Sequence, residues 1–151
     1  MNSLFPIEKI ASRAQNMWRY REALPASLEE PFVTFCEGFT PLLEIPIGRR
    51  FALIKQDHLF PTGSYKDRGA SLMISVLKEL GIREIVEDSS GNAGCSVAAY
   101  AARAGIDCEI FVPAGTSKSK LVQIAAYGAR LNLVPGSRED TAAAVLKAAH
   151  S

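Results

Sequence analysis

The sequence predicts an α/β fold, with a parallel (mainly) four-stranded sheet and flanking helices in three layers. From residue 63 onward, short apolar segments alternate with segments whose apolar residues recur at helical spacing, which is typical of parallel α/β architecture. The 151-residue chain is 48% hydrophobic, as expected for one ordinary soluble domain. Its 17 basic and 16 acidic residues produce no overall field that would favour nucleic acid or a membrane surface.

The part of the chain before residue 63 predicts a short helix and a β-hairpin. Apolar spacing favours a helix over residues 10–21. The segments 42–47 and 51–56 are apolar or alternating and flank residues 48–50. This pattern indicates two strands joined by a turn of three residues.

The alternation after residue 63 predicts three strands and four helices. The strands are predicted at 82–86, 107–112 and 130–134, and the helices at about 65–81, 93–104, 118–127 and 138–149. Right-handed crossovers join strands of this kind. Ligands of such sheets bind beyond the carboxyl ends of the strands.

Residues 60–69 form a turn that opens the first of these helices. Pro61 and Gly63 bracket the turn, and Ser64 is a favoured N-cap residue. Ser64 and Asp67 fit the spacing of a capping box. The sequence therefore predicts a helix that begins near Tyr65 with a capped N-terminus.

Lys66 and Arg68 lie in the first turn of this helix, where the N-terminal dipole disfavours positive charge. The dipole and the neighbouring guanidinium favour the neutral amine of Lys66, which is the form that attacks a carbonyl carbon. The exposed amides and Arg68 would also bind an anion such as a phosphate or a carboxylate. Composition alone leaves an ordinary solvated lysine as the alternative, since most lysines are surface groups.

A second candidate site lies in the loop at residues 87–94, which follows a predicted strand and runs into a helix. Gly91 and Gly94 let the backbone approach a ligand, and successive amides at a helix start form an anion-binding concavity. Alone, the same residues also fit ordinary helix capping. The loop lacks the G-x-G-x-x-G spacing and the Walker lysine, which argues against those two kinds of nucleotide site.

Residues 61–69 resemble the Schiff-base lysine motif of the fold type II pyridoxal 5'-phosphate (PLP) enzymes, the tryptophan synthase β-like family. Residues 89–94 resemble the asparagine loop of the same family. The resemblance implies that Lys66 holds PLP covalently and moves protons on the substrate. It also implies that Asn92 hydrogen-bonds the ring oxygen of PLP. The loop residues implied to bind the substrate carboxylate are Ser89, Ser90, Gly91, Asn92 and Ala93.

Two further segments favour the threonine synthase branch of this family. Residues 18–25 and 37–42 resemble stretches found there, although the aromatic side chains of the first also fit a plain packing role. The branch implies a lyase that converts O-phospho-L-homoserine and water to L-threonine and phosphate. A serine or threonine dehydratase is the alternative within the family. A non-catalytic α/β module that needs a partner chain is the alternative of another class.

The resemblance covers nearly the whole chain, but the chain is shorter than half of a usual family member. Family enzymes bind the PLP phosphate with a glycine-rich loop in their later half, and none follows Lys66 here. We therefore expect an N-terminal portion that is inactive alone, with the C-terminal half of the fold absent. Residues 1–50 would belong to the larger domain of whole enzymes and residues 51–151 to a small domain that carries the lysine. The expected partners are an amino-acid substrate and either a second copy of the chain or the missing half.

The cysteines and the N-terminus bear on the cellular compartment. Cys36, Cys95 and Cys108 are odd in number and far apart, which predicts neither a disulfide framework nor a metal site. Residues 1–10 lack the apolar core of a signal peptide, and no run approaches the length of a membrane span. We therefore expect a cytoplasmic protein without a membrane or nucleic-acid partner.

Overall fold

The computed structural model describes residues 6–150, except for the side chain of Lys120. Residues 1–5 and residue 151 lie outside this description. They include half of the segment 1–10 that was expected to lack a signal peptide, and the last residue of the expected 51–151 domain. The α/β class is confirmed. None of the helices within residues 6–150 combines the length and apolar composition needed to span a bilayer.

The described chain contains five strands and five α-helices. The strands are β1 (Leu42–Ile47), β2 (Arg50–Lys55), β3 (Glu84–Glu87), β4 (Asp107–Pro113) and β5 (Arg130–Val134). The helices are α1 (Ile7–Ser12), α2 (Lys66–Glu79), α3 (Asn92–Ala104), α4 (Lys118–Ala126) and α5 (Arg138–Ala149). After residue 63, these bounds agree with the sequence prediction to within two residues.

Strands β3, β4 and β5 form a parallel sheet in that order. The central strand β4 buries Cys108, Ile110 and Val112, because alternate side chains of a strand face the same side. These residues pack with Ile74 of α2 and Tyr100 of α3 in one hydrophobic core. The core therefore packs α3 on the sheet and α2 on α3, and these are the two helices whose first residues carry the predicted site.

The sheet differs from the prediction in its number of strands. Four mainly parallel strands were expected, whereas the parallel sheet of the described residues has three. Strands β1 and β2 pair with each other as the predicted hairpin, but in an antiparallel sheet separate from the parallel one. Ile47 pairs directly with Arg50, so the turn has two residues rather than three. The local pattern predicts the strands and their hairpin but does not say whether they also join the parallel sheet, which explains the difference.

The single helix predicted over residues 10–21 is also wrong. Helix α1 ends at Ser12, and a 3-10 segment covers Met17–Ala23. Asn16 separates the two in an extended conformation, and its side chain accepts a 2.9 Å hydrogen bond from the Trp18 amide. Asparagine favours such local caps over the helix interior, which is why the helical pattern is interrupted there.

Candidate active site

The lysine turn is held by Asp67 rather than by the predicted capping box. Helix α2 begins at Lys66, and the Ser64 hydroxyl accepts only a 3.2 Å bond from the Lys66 amide. The Asp67 carboxylate turns back to Thr62, whose backbone amide donates to Oδ2 at 2.9 Å and whose hydroxyl donates to Oδ1. Asp67 therefore closes the turn over residues 62–67 from the inside, where it is fully buried.

The side chain of Lys66 is exposed. Its Nζ lies 5.0 Å from the centroid of the Tyr65 ring. Within residues 6–150, no hydrogen bond or ion pair engages this amine, while the neighbouring Arg68 is fully engaged. The Lys66 amine is thus available to react with a carbonyl group of a bound molecule.

Arg68, which was expected to bind an anion, pairs with a carboxylate of its own chain. Its Nη1 and Nη2 bond the two carboxylate oxygens of Asp57 at 2.6 and 3.1 Å, and its guanidinium stacks 4.4 Å from the centroid of the Phe60 ring. The hydrogen bond from Arg68 holds the pKa of Asp57 below its usual value. Two nitrogens of Arg68 therefore already bond a carboxylate, which ties the start of α2 to the segment before the lysine turn.

The asparagine loop leads into an uncapped helix. Gly91 is the N-cap of α3 and no side chain caps it. The backbone amides of Asn92, Ala93 and Gly94 have no acceptor within the described residues. Three free amides at the positive end of a helix dipole form a site for a carboxylate or another anion.

Gly94 is required where the loop closes on the start of α3. A Cβ atom at this position would lie 1.9 Å from the carbonyl oxygen of Ser89. The Ser89 hydroxyl accepts a 3.4 Å bond from the Gly91 amide, whereas the side chains of Ser90 and Asn92 have no hydrogen-bond partner within the described residues. The loop therefore leaves the Ser90 hydroxyl and the Asn92 amide group without a partner among the described residues.

The structure joins the lysine turn to the helix that follows this loop. Ser96 donates a 2.6 Å bond to Asp67 and lies 3.0 Å from the Thr62 hydroxyl. Ser96 follows Asn92 by four residues, which is a rise of about 6 Å along the helix. The start of α3 and the start of α2 therefore lie side by side, although no hydrogen bond joins Lys66 to residues 89–93 among the described residues.

The donor set fits PLP and an amino acid by its chemistry. A free primary amine matches the aldehyde carbon of the cofactor. The free Asn92 side chain can donate to a ring oxygen, and the uncapped amides match a carboxylate. A separate pocket of about 770 Å³ lies against Arg68, Gly69 and Leu72, and neither Lys66 nor residues 89–93 line it.

Sequence reasoning missed three residues that hold the site. Thr62 lies within the lysine motif but was assigned no role, while Ser96 and Gln123 lie outside both motifs. Gln123 of α4 donates a 3.1 Å bond to the Thr62 carbonyl. A serine and a glutamine inside ordinary helices carry no pattern that could have identified them.

The two segments that favoured the threonine synthase branch have structural roles in this chain. The Trp18 ring stacks on Phe32 at 4.0 Å, and its Nε1 donates a 2.9 Å bond to Ser71 of α2. Glu37 is buried and accepts a 2.7 Å bond from the Tyr100 hydroxyl of α3. Both segments therefore attach the N-terminal part of the chain to the helices that carry the site.

Comparison with known families identifies a relationship over most of the chain. The family model described as "Pyridoxal-phosphate dependent enzyme" matches residues 33–151. A threonine synthase of Methanocaldococcus jannaschii is 39% identical over 139 residues, covering 88% of this chain and 34% of that protein. A threonine synthase of Synechocystis sp. is 41% identical over 128 residues, covering 80% of this chain and 34% of that protein. The chain therefore spans about a third of the length of these curated relatives.

Solved structures resemble the chain over a similar extent. A hydrogen sulfide-producing enzyme from Fusobacterium nucleatum superposes with a TM-score of 0.72 at 25% identity, covering 84% of this chain and 44% of that one. An O-ureido-L-serine synthase superposes with a TM-score of 0.65 at 27% identity, covering 74% of this chain and 38% of that one.

Proposed function

This chain belongs to the pyridoxal-phosphate dependent enzyme family, and we propose that it carries the lysine-bearing part of a threonine synthase. The observation that carries the proposal is the hydrogen bond from Ser96 to Asp67, which joins the start of α2, where Lys66 has a free amine, to the first turns of the uncapped helix α3. The identity of 39% and 41% to two threonine synthases supports this branch of the family. The proposed reaction converts O-phospho-L-homoserine and water to L-threonine and phosphate.

Each proposed site residue has a task that its geometry supports. PLP, when bound, supplies the electron sink for the reaction. Lys66 provides the amine that holds the cofactor covalently, and its Nζ then takes up and returns protons of the substrate. The side chain of Asn92 orients the cofactor ring through a hydrogen bond. The amides and hydroxyls of residues 89–93 hold the substrate carboxylate, which suits the positive end of the α3 dipole.

The partners and the domain division are also proposals. Exposed apolar side chains crowd the β1–β2 hairpin, among them Leu42, Phe51 and Leu53, which are 58%, 68% and 64% exposed. Exposed apolar surface of this kind supports the presence of a partner that covers it. That partner would be a second copy of the chain or the part of the protein that the relatives have beyond this chain. Residues 1–50 would then belong to the larger domain and residues 51–151 to the small one, with the hairpin pairing across the boundary. The free cysteines support a cytoplasmic location.

The test of the function measures two products in parallel. Because this chain is expected to be inactive alone, the assay uses the chain extended by the length that its relatives have beyond it, with PLP supplied. It compares phosphate release from O-phospho-L-homoserine with 2-oxo acid formation from serine and threonine. Lys66→Ala should abolish the activity, whereas Lys118→Ala, which removes another exposed lysine from a helix start, should preserve it. Formation of 2-oxo acid alone would favour a dehydratase. Neither product, together with equal PLP labelling of Lys66 and Lys118 after borohydride reduction, would overturn the proposal.

A further inference from the structure

A junction of hydrogen bonds, buried except for the exposed Gln123, surrounds Thr62, four residues before Lys66. The junction consists of Thr62, Asp67, Ser96 and Gln123. Thr62 lies on the turn before Lys66, Asp67 on α2, Ser96 on α3 and Gln123 on α4. Three helices therefore converge on one residue of the lysine turn through side-chain hydrogen bonds.

The Asp67 carboxylate is the centre of this junction. It is 0% exposed, and it accepts hydrogen bonds from the Thr62 amide, the Thr62 hydroxyl and the Ser96 hydroxyl. No lysine, arginine or histidine forms an ion pair with it within the described residues. The free-energy cost of burying a carboxylate without a cation is offset only by its hydrogen bonds and by the helix dipole. The groups that donate these hydrogen bonds are therefore held in one geometry.

The junction links the two halves of the proposed site. Thr62 is joined to Lys66 by the turn itself, and Ser96 lies one helical turn after Asn92. A shift of Thr62 against Ser96 would therefore move the Lys66 amine against the asparagine loop. Groups that act on the same bound molecule must be held to within about 0.5 Å of their working geometry.

We propose that Asp67 is a positioning residue which, through Thr62 and Ser96, sets the Lys66 amine against the Asn92 loop. The proposal rests on the proposed function, because it concerns the placement of the lysine that would hold PLP. It assigns a role in the site to three buried residues that the sequence did not single out as site residues. It also explains why a carboxylate follows Lys66 directly, since that position lies inside the turn and faces α3.

The alternative is that these hydrogen bonds only stabilise the fold, and α2 provides a matched control for it. Ser75 is a buried hydroxyl on α2 outside the junction, and it accepts a 2.9 Å bond from the Val33 amide. This bond attaches the N-terminal segment and has no contact with the lysine turn. Ser75→Ala therefore removes a buried hydroxyl of the same kind without touching the junction.

The experiment measures covalent labelling of Lys66 by PLP, using borohydride reduction and peptide mapping, together with the free energy of unfolding. Ser96→Ala and Thr62→Val should slow Lys66 labelling by about 10-fold to about 100-fold, as expected for a displacement of about 1 Å. Thr62→Ser keeps the hydroxyl and should restore the rate. Ser75→Ala should lower stability but leave the labelling rate unchanged.

The outcomes separate the inference from the function on which it rests. Labelling of Lys66 at the wild-type rate in folded Ser96→Ala would overturn the inference alone. A loss of labelling in Ser75→Ala equal to that in Ser96→Ala would also overturn it, because the effect would then follow stability. Labelling of wild-type Lys66 no faster than that of Lys118 would overturn the proposed function and the inference together.

Discussion

Gly94→Ala should disturb the asparagine loop without altering any proposed ligand group. Gly94 is the third residue of α3, and its Cα faces the loop backbone. An added Cβ would lie 1.9 Å from the Ser89 carbonyl oxygen and 3.0 Å from the Ser89 carbonyl carbon. These atoms belong to the backbone, so no side-chain rotation can relieve the clash.

The size of the effect follows from that distance. A carbon atom and a carbonyl oxygen come no closer than about 3.3 Å, so the loop or the helix start must move by about 1.4 Å. Overpacking of this kind costs about 1 to 3 kcal/mol of folding free energy. A displacement of about 1 Å in a site can reduce its reaction about 100-fold. We therefore expect both stability and PLP labelling of Lys66 to fall.

The matched control is Gly69→Ala on α2. Nothing lies within 4 Å of a Cβ built at Gly69, so alanine should raise stability by about 0.5 to 1 kcal/mol through its better helix propensity. Urea unfolding and the labelling assay are applied to both variants. The reasoning is refuted if Gly94→Ala unfolds and labels like the wild type, or if Gly69→Ala shows the same losses.

Three further predictions concern individual groups. The pKa of Asp57 is lowered, chiefly by its hydrogen bond from Arg68. The pair therefore stabilises the fold fully at pH values above the ordinary carboxyl pKa of about 4. This contribution is lost as the pH falls through the lowered pKa. The difference in unfolding free energy between wild type and Arg68→Gln should therefore shrink on acidification, and a constant difference would contradict this. Tyr100→Phe removes one donor from buried Glu37 and should cost about 1 to 3 kcal/mol in urea unfolding, so an unchanged midpoint would exclude a role for that bond. Burial raises the pKa of Cys108 to about 12, so a thiol reagent at pH 8 should modify it far more slowly in the folded chain than in urea, and equal rates would refute its burial.

The sequence predicted the features that depend on near neighbours in the chain. The limits of β5 and α5 agree with the prediction at both ends, because turn residues and apolar spacing mark them locally. The lysine and asparagine motifs were likewise recognisable as short runs. Trp18 was expected either to mark the enzyme branch or to anchor the core, and its packing on Phe32 shows the anchoring role.

Side-chain partners were decided by the tertiary structure alone. Arg68 was expected to attract an anion beside Lys66, but the fold places Asp57 against it. Asp67 was expected to cap its own helix, but it bonds Ser96, which lies 29 positions away along the chain. The pairing of β1 with β2 was predicted as a hairpin, and only the fold shows that this hairpin stays separate from the parallel sheet. Local spacing determines which residues form a helix or a strand, whereas the partner of a polar side chain depends on which distant elements the hydrophobic core brings together.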